Sequence, residues 1–210
     1  MSKKIVIAIG RQYCSGGRYV GRLLAEKLGI PFYDKELLSE AAKESGICEE
    51  IFEEHDEKPT RSLLFSLVTG MQQHMSTGSF YMDMPLNHKI FLAQFDAIRR
   101  IAAQGSCVIV GRCADYVLRD DPDTVAVFVK ADMPSKIERA VKFYGIEADK
   151  AEERIRKADK QRASYYNYYA TATWGDLENY DLVVDTGVLG VEGAVELIAK
   201  FLELRDSKQA

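Results

Sequence analysis

Continuous apolar runs alternate along this chain with segments whose apolar positions recur every three or four residues. The first run, Lys4-Ile5-Val6-Ile7-Ala8-Ile9, is rich in β-branched residues and closes at Gly10, the pattern of a strand buried on both faces. Similar runs follow at Cys107-Val108-Ile109-Val110 and Val125-Ala126-Val127-Phe128-Val129, with shorter ones at Leu182-Val183-Val184 and Pro31-Phe32-Tyr33. Helical spacing fills the intervals. It starts with Val20, Leu23, Leu24, Lys27 and Leu28, which Gly29 and Pro31 terminate. It continues over 35–45, 86–104, 134–143, 148–169 and 191–204, where Val191, Ala194, Val195, Ile198, Phe201 and Leu202 share one face. Strands alternating with helices predict an α/β fold, a parallel sheet with helices on both faces. Residues 47–85 break the pattern. They carry no strand signal and are rich in Met, Gln, Ser and acidic side chains, which predicts a helical insertion or a mobile flap.

Composition narrows the class. The 210 residues, 47% apolar and 29% charged, suit one folded domain with a substantial core. Twenty-eight Lys and Arg against 32 Asp and Glu leave a net charge of -4, the wrong sign for a chain held to nucleic acid by counterion release. No apolar run is long enough to span a bilayer, and Ile5 to Ile9 is too short for a signal-peptide core, so a cytoplasmic protein without a membrane partner is expected. Cys14, Cys48, Cys107 and Cys113 show no metal or redox spacing and read as free thiols. His55, His74 and His88 form no metal-binding motif, so no metal site built from side chains is expected.

The candidate chemistry sits between the first strand and the first helix. Gly10-Arg11-Gln12-Tyr13-Cys14-Ser15-Gly16-Gly17-Arg18-Tyr19 occupies the place of a phosphate-binding loop. There, backbone N–H groups freed by glycine and the start of a helix together favour an anion. Such loops ordinarily continue with a Lys for the phosphates and a Ser or Thr for magnesium; this chain has Gly17 and Arg18.

Five ordered segments carry a resemblance: Ser15-Gly16-Gly17-Arg18, Leu28 through Leu37 with Pro31-Phe32-Tyr33-Asp34, Val110-Gly111-Arg112, Asp159-Lys160-Gln161-Arg162, and Tyr180-Asp181-Leu182. In these the chain resembles the cytidylate kinase-like family of P-loop kinases over nearly its whole length. The resemblance implies a three-layer P-loop kinase-type fold with a five-stranded parallel sheet. It also implies one domain over 1–210, an acceptor-side insertion at 47–85 and a basic lid at 144–170. The implied activity is an ATP-dependent transfer to a nucleoside monophosphate, with ATP and magnesium as cofactors and a small phosphorylated acceptor as partner.

On that resemblance Arg11, Ser15, Gly16, Gly17, Arg18 and Tyr19 would hold the donor nucleotide, Asp34 and Arg112 the acceptor, and Arg18, Lys160 and Arg162 the charge of the transition state. The family's lysine after the loop is missing, and Cys113 stands where its Asp follows the Gly-Arg pair. Two other readings remain open: a nucleotide-binding regulatory protein that has lost turnover, and a kinase for another small acceptor. Residue by residue, Asp34 serves equally well as a helix N-cap, and Arg112 as a partner of Asp115. Tyr165, Tyr166, Tyr168 and Tyr169 suit a base or simple packing. The run Met71, Met75, Phe80, Tyr81, Met82, Met84 reads as core, as a flap over the acceptor, or as a homodimer contact.

Overall fold

The computed structural model describes residues 4–34, 37, 40 and 86–209. The expected insertion at 47–85 and its Met-aromatic run lie outside the described residues. Of the helix expected at 35–45 only Leu37 and Glu40 are described, both helical.

Five strands form one parallel sheet: β1 (Val6–Arg11), β2 (Phe32–Tyr33), β3 (Cys107–Val110), β4 (Thr124–Lys130) and β5 (Leu182–Asp185), in the order β2-β3-β1-β4-β5. The expected α/β class and five-stranded parallel sheet are what the chain forms. Most ends shift by one or two residues, and the shift at the end of β1 matters for the site. Gly10 does not close β1, because Gly10 and Arg11 stay in register with Phe128 and Val129 of β4. The strand therefore delivers Arg11 to the carboxyl edge of the sheet.

Among the described residues, helices with described bounds are α1 (Gly17–Leu28), α2 (Leu86–Gln104), α3 (Ala114–Val117), α4 (Met133–Tyr144), α5 (Ala148–Tyr169) and α6 (Thr186–Gln209). Gly190, with φ 69° and ψ 179°, interrupts α6, so its body starts at the expected Val191 after a separate turn. The four residues of α3 are too few for a periodic signal.

Strand periodicity divides the core into two layers. Ile7, Ile9, Val108, Val110, Val125, Val127 and Val129 pack against Val20 and Leu24 of α1 and Ala194 and Ile198 of α6. Val6, Ala8, Cys107 and Ile109 face Ile98 and Ile101 of α2 and Ala114 and Val117 of α3. Fully burying one such Ile or Leu contributes about 2 kcal/mol. The neighbouring strands β1 and β3 are thus followed by helices on opposite faces, which opens a crevice between their carboxyl ends, the place where open parallel sheets bind ligands. A third layer closes over one side. Ala140 of α4 and Ala151 and Ile155 of α5 bury Cys14 of the loop, while the far end of α5 packs Tyr165 and Tyr166 near Phe91 of α2.

Candidate functional site

The loop between β1 and α1 is held by side chains from distant parts of the chain. Cys14 and Gly16 adopt left-handed φ values of 59° and 80°, and α1 begins directly after Gly16, its first N–H, that of Gly17, donating to Ser15 Oγ at a long 3.4 Å. Its first-turn N–H groups are therefore of the kind that receives an anion. The Ser15 hydroxyl is buried and turned inward, donating to Gln12 O at 2.9 Å. Asp159 of α5 accepts the Tyr13 N–H at 2.6 Å and pairs with Lys136 of α4 at 3.2 Å. Lys136, only 5% exposed, also donates to Gln12 Oε1. Arg139 reaches Cys14 O at 3.4 Å and Thr186 O at 3.3 Å, and Thr186 Oγ1 donates to Ser15 O at 2.5 Å. Desolvation pushes the Cys14 thiol up to about 11, so at neutral pH it is a packed thiol rather than a nucleophile.

The second half of the site is the end of β3. Gly111, Arg112 and Cys113 run consecutively at positive φ, 84°, 56° and 56°. Two non-glycine residues in that region store backbone strain of a few kcal/mol at most, a feature that clusters at ligand sites. Beyond them Asp115 is 7% exposed and accepts the Tyr166 hydroxyl at 2.7 Å. Burial holds its carboxyl above the usual range, while the Tyr166 bond works in the opposite direction. The Tyr166 phenol is raised in turn, first by its burial and then by the neighbouring Asp115 charge.

Between the halves lies a cleft lined by Arg11, Gly111, Arg112 and Arg162, with Asp115, Tyr165, Tyr166, Trp174 and Tyr180 behind them. Arg162 reaches over from α5 and donates to Arg11 O at 3.3 Å. Three arginines line this one small cleft of about 30 Å³, and the planar guanidinium fork matches phosphate oxygens bidentately. A larger cavity of about 480 Å³, between Arg119, Asp121, Thr124 and Arg205, contains none of the loop residues.

The sequence candidates distribute as follows. Arg11, Arg112 and Arg162 come together at the cleft. Arg18 and Tyr19 lie on exposed positions of the first turn of α1, and Arg18 Nε sits 2.6 Å from Asp34 Oδ2. Asp34 thus joins the loop side rather than standing alone after β2. Lys160 is exposed on α5. Tyr165 and Tyr169 pack on Phe91, Tyr169 stacked on it at 4.1 Å, and Tyr165 donates to Gln94. Packing is therefore what these two rings do. Gln12, Lys136, Arg139 and Thr186 were not singled out by sequence. Lys136 and Arg139, three residues apart on α4, carry only the pattern of a solvated face.

A model of the cytidylate kinase-like family matches residues 6–188. The cytidylate kinase of Methanopyrus kandleri is 26% identical over 195 residues, spanning 88% of this chain and 86% of that protein. That of Pyrococcus horikoshii is 23% identical, spanning 97% and 91%. Among solved structures, an uncharacterized protein from Eubacterium ventriosum is 31% identical with a TM-score of 0.71, covering 95% of this chain and 99% of that one. Shikimate kinase from Bacteroides thetaiotaomicron has a TM-score of 0.57 at 16% identity over 96% and 99%, a likeness of fold alone. Among the described residues no helix is long and apolar enough to cross a membrane.

Proposed function

This chain belongs to the cytidylate kinase-like family, and on that premise we propose that it transfers the γ-phosphoryl group of ATP to a nucleoside monophosphate, with a cytidylate-like acceptor favoured. One observation carries the reading: Arg11 at the end of β1, close beside Gly17 at the start of α1, lines one cleft with Arg112 and Arg162.

In this reading the loop from Arg11 to Tyr19 holds the donor phosphates through its backbone, and Arg18 stands at the rim in its pair with Asp34. Arg112 takes the acceptor's phosphate. An oxygen of that phosphate bonds to the γ-phosphorus as the bond to the β,γ-bridging oxygen breaks, and the electron pair leaves with ADP. The attacking oxygen is already anionic, so no general base is required. Charge spreads over the transferred group, and catalysis is chiefly its positioning and electrostatic compensation. Arg162 offers that compensation from the lid at 144–170, with Lys160 beside it in sequence. Magnesium would come with ATP and would offset the charge of its phosphates; the inward-turned Ser15 hydroxyl, which donates to Gln12 O, fits the fold of the loop better than a metal shell. The whole chain acts as one domain with residues 47–85 on the acceptor side. Its compartment is the cytoplasm, in keeping with free thiols at Cys14, Cys107 and Cys113.

Gly17 in the lysine's place favours a second reading, a nucleotide-binding regulatory protein without turnover. A coupled assay separates the two: MgATP and a panel of nucleoside monophosphates, run beside melting with each nucleotide. Turnover with a monophosphate, highest for CMP, is expected. Binding of ATP with no transfer to any acceptor favours the regulatory reading, and no nucleotide-dependent rise in melting temperature contradicts both.

A further inference from the structure

Two glycines face one arginine at the crevice. A Cβ on Gly17 would lie 2.6 Å from Arg11 Cβ, and a Cβ on Gly111 would lie 2.0 Å from Arg11 Nη1. At Gly17 the obstacle is the Cβ, fixed by the backbone, whereas at Gly111 it is the guanidinium, the movable end of the side chain. Gly17 is not among the positive-φ glycines, so its backbone would accept a side chain; the stem of Arg11 is what excludes one. The place of a loop lysine is therefore closed by the Cβ and Cγ of residue 11, with Val129 Cβ also close at 3.2 Å, and the Arg11 side chain runs past it toward Gly111.

We propose that Arg11 is the cation that substitutes for the missing loop lysine, moved from the start of the helix to the end of the strand. The proposal rests on the phosphotransferase reading and deepens it. Arg11 leaves β1 at its carboxyl edge, passes Gly17, lays its guanidinium against Gly111 and lines the cleft with Arg112 and Arg162. As the bond from the acceptor oxygen to the γ-phosphorus forms and the β,γ-bridging bond breaks, negative charge grows on the bridging and equatorial oxygens. A preorganised guanidinium there compensates it. Arg11 is partnered within the fold, as the other cations near the loop are. Arg18, with a side chain 55% exposed, sits on Asp34; Lys136 is held by Asp159 and Gln12; Arg139 braces Cys14 and Thr186. The lid reaches the same end of β1, since Arg162 donates to the Arg11 carbonyl.

The test compares the parent with Arg11→Met, which keeps the stem packed on Gly17 but removes the charge, and Arg11→Lys, which restores a charge. Turnover with MgATP and CMP is measured, together with the affinities for MgATP and for adenosine, which has no phosphate. Arg11→Met is expected to lose about 100-fold in turnover and about tenfold or more in MgATP affinity. Its adenosine affinity stays within about twofold, because only phosphate contacts are lost. Arg11→Lys recovers about tenfold of the lost turnover, in line with the weaker fit of a point charge. Parent-like turnover and MgATP affinity in Arg11→Met overturn the proposal, as does equal loss of adenosine and MgATP binding, which marks a structural role. A parent that neither binds MgATP nor transfers phosphate overturns the phosphotransferase reading itself, and this proposal with it.

Discussion

The two walls of the crevice are built on opposite principles. The wall after β1 is a hydrogen-bonded frame: Asp159, Lys136, Gln12, Arg139 and Thr186 fix the loop through its carbonyls and N–H groups, drawing on α4, α5 and α6. The wall after β3 is shaped differently. It relies on three successive left-handed residues and on a carboxyl buried against a tyrosine. A donor with many phosphates needs a rigid cradle that its backbone contacts can trust, whereas an acceptor with one phosphate needs one guanidinium well aimed. The difference suits a site that holds one ligand by many weak contacts and the other by a few strong ones.

The frame breaks most severely at Asp159. Its carboxylate and the Lys136 ammonium are 16% and 6% exposed at the side chain, and removing one partner leaves the other buried without its counter-charge. Asp159→Asn is expected to cost about 3 kcal/mol, a fall in Tm of roughly 10 °C for a chain of this size. Equilibrium denaturation checks it. Pairing Asp159→Leu with Lys136→Met should cost less than either single change, because no charge is then stranded.

The other wall yields a smaller effect that depends on pH. Burial raises the Asp115 carboxyl above its ordinary value, so the folded state holds that proton more tightly than the unfolded chain. Its contribution to stability is full below the ordinary carboxylate range and declines as pH rises toward the raised value. Asp115→Asn removes the titration. Measured from about pH 4 to about pH 7, the stability of the variant relative to the parent should therefore move in the variant's favour. A constant difference across that range places the carboxyl in a solvated setting instead.

How far the sequence revealed these two walls follows from the same physics. Parallel strands buried on both faces must be apolar throughout, so β1, β3 and β4 are plain from their runs, and the 22 residues of α5 match the spacing at both ends. The exit of β1 was misjudged because Gly10 looks like a terminator, although it continues the ladder beside Phe128. The loop and Arg112 were visible as motifs. The frame was not: Tyr13 and Asp159 are 146 positions apart, and on a helix as charged as α5 a carboxylate that fastens a loop has the same local pattern as one that only meets solvent. The relation of Arg11 to Gly17 and Gly111 is equally invisible, since it depends on three segments meeting at one edge of the sheet.

The central claim is that donor and acceptor occupy different walls, and initial-rate kinetics of Arg112→Ala with ATP and CMP varied independently test it most directly. Loss of a charge-assisted phosphate contact should raise the KM for CMP by roughly 10- to 100-fold, while the KM for ATP stays within about twofold. Equal increases in both constants, or no increase in either, would contradict the division of the site between its two walls.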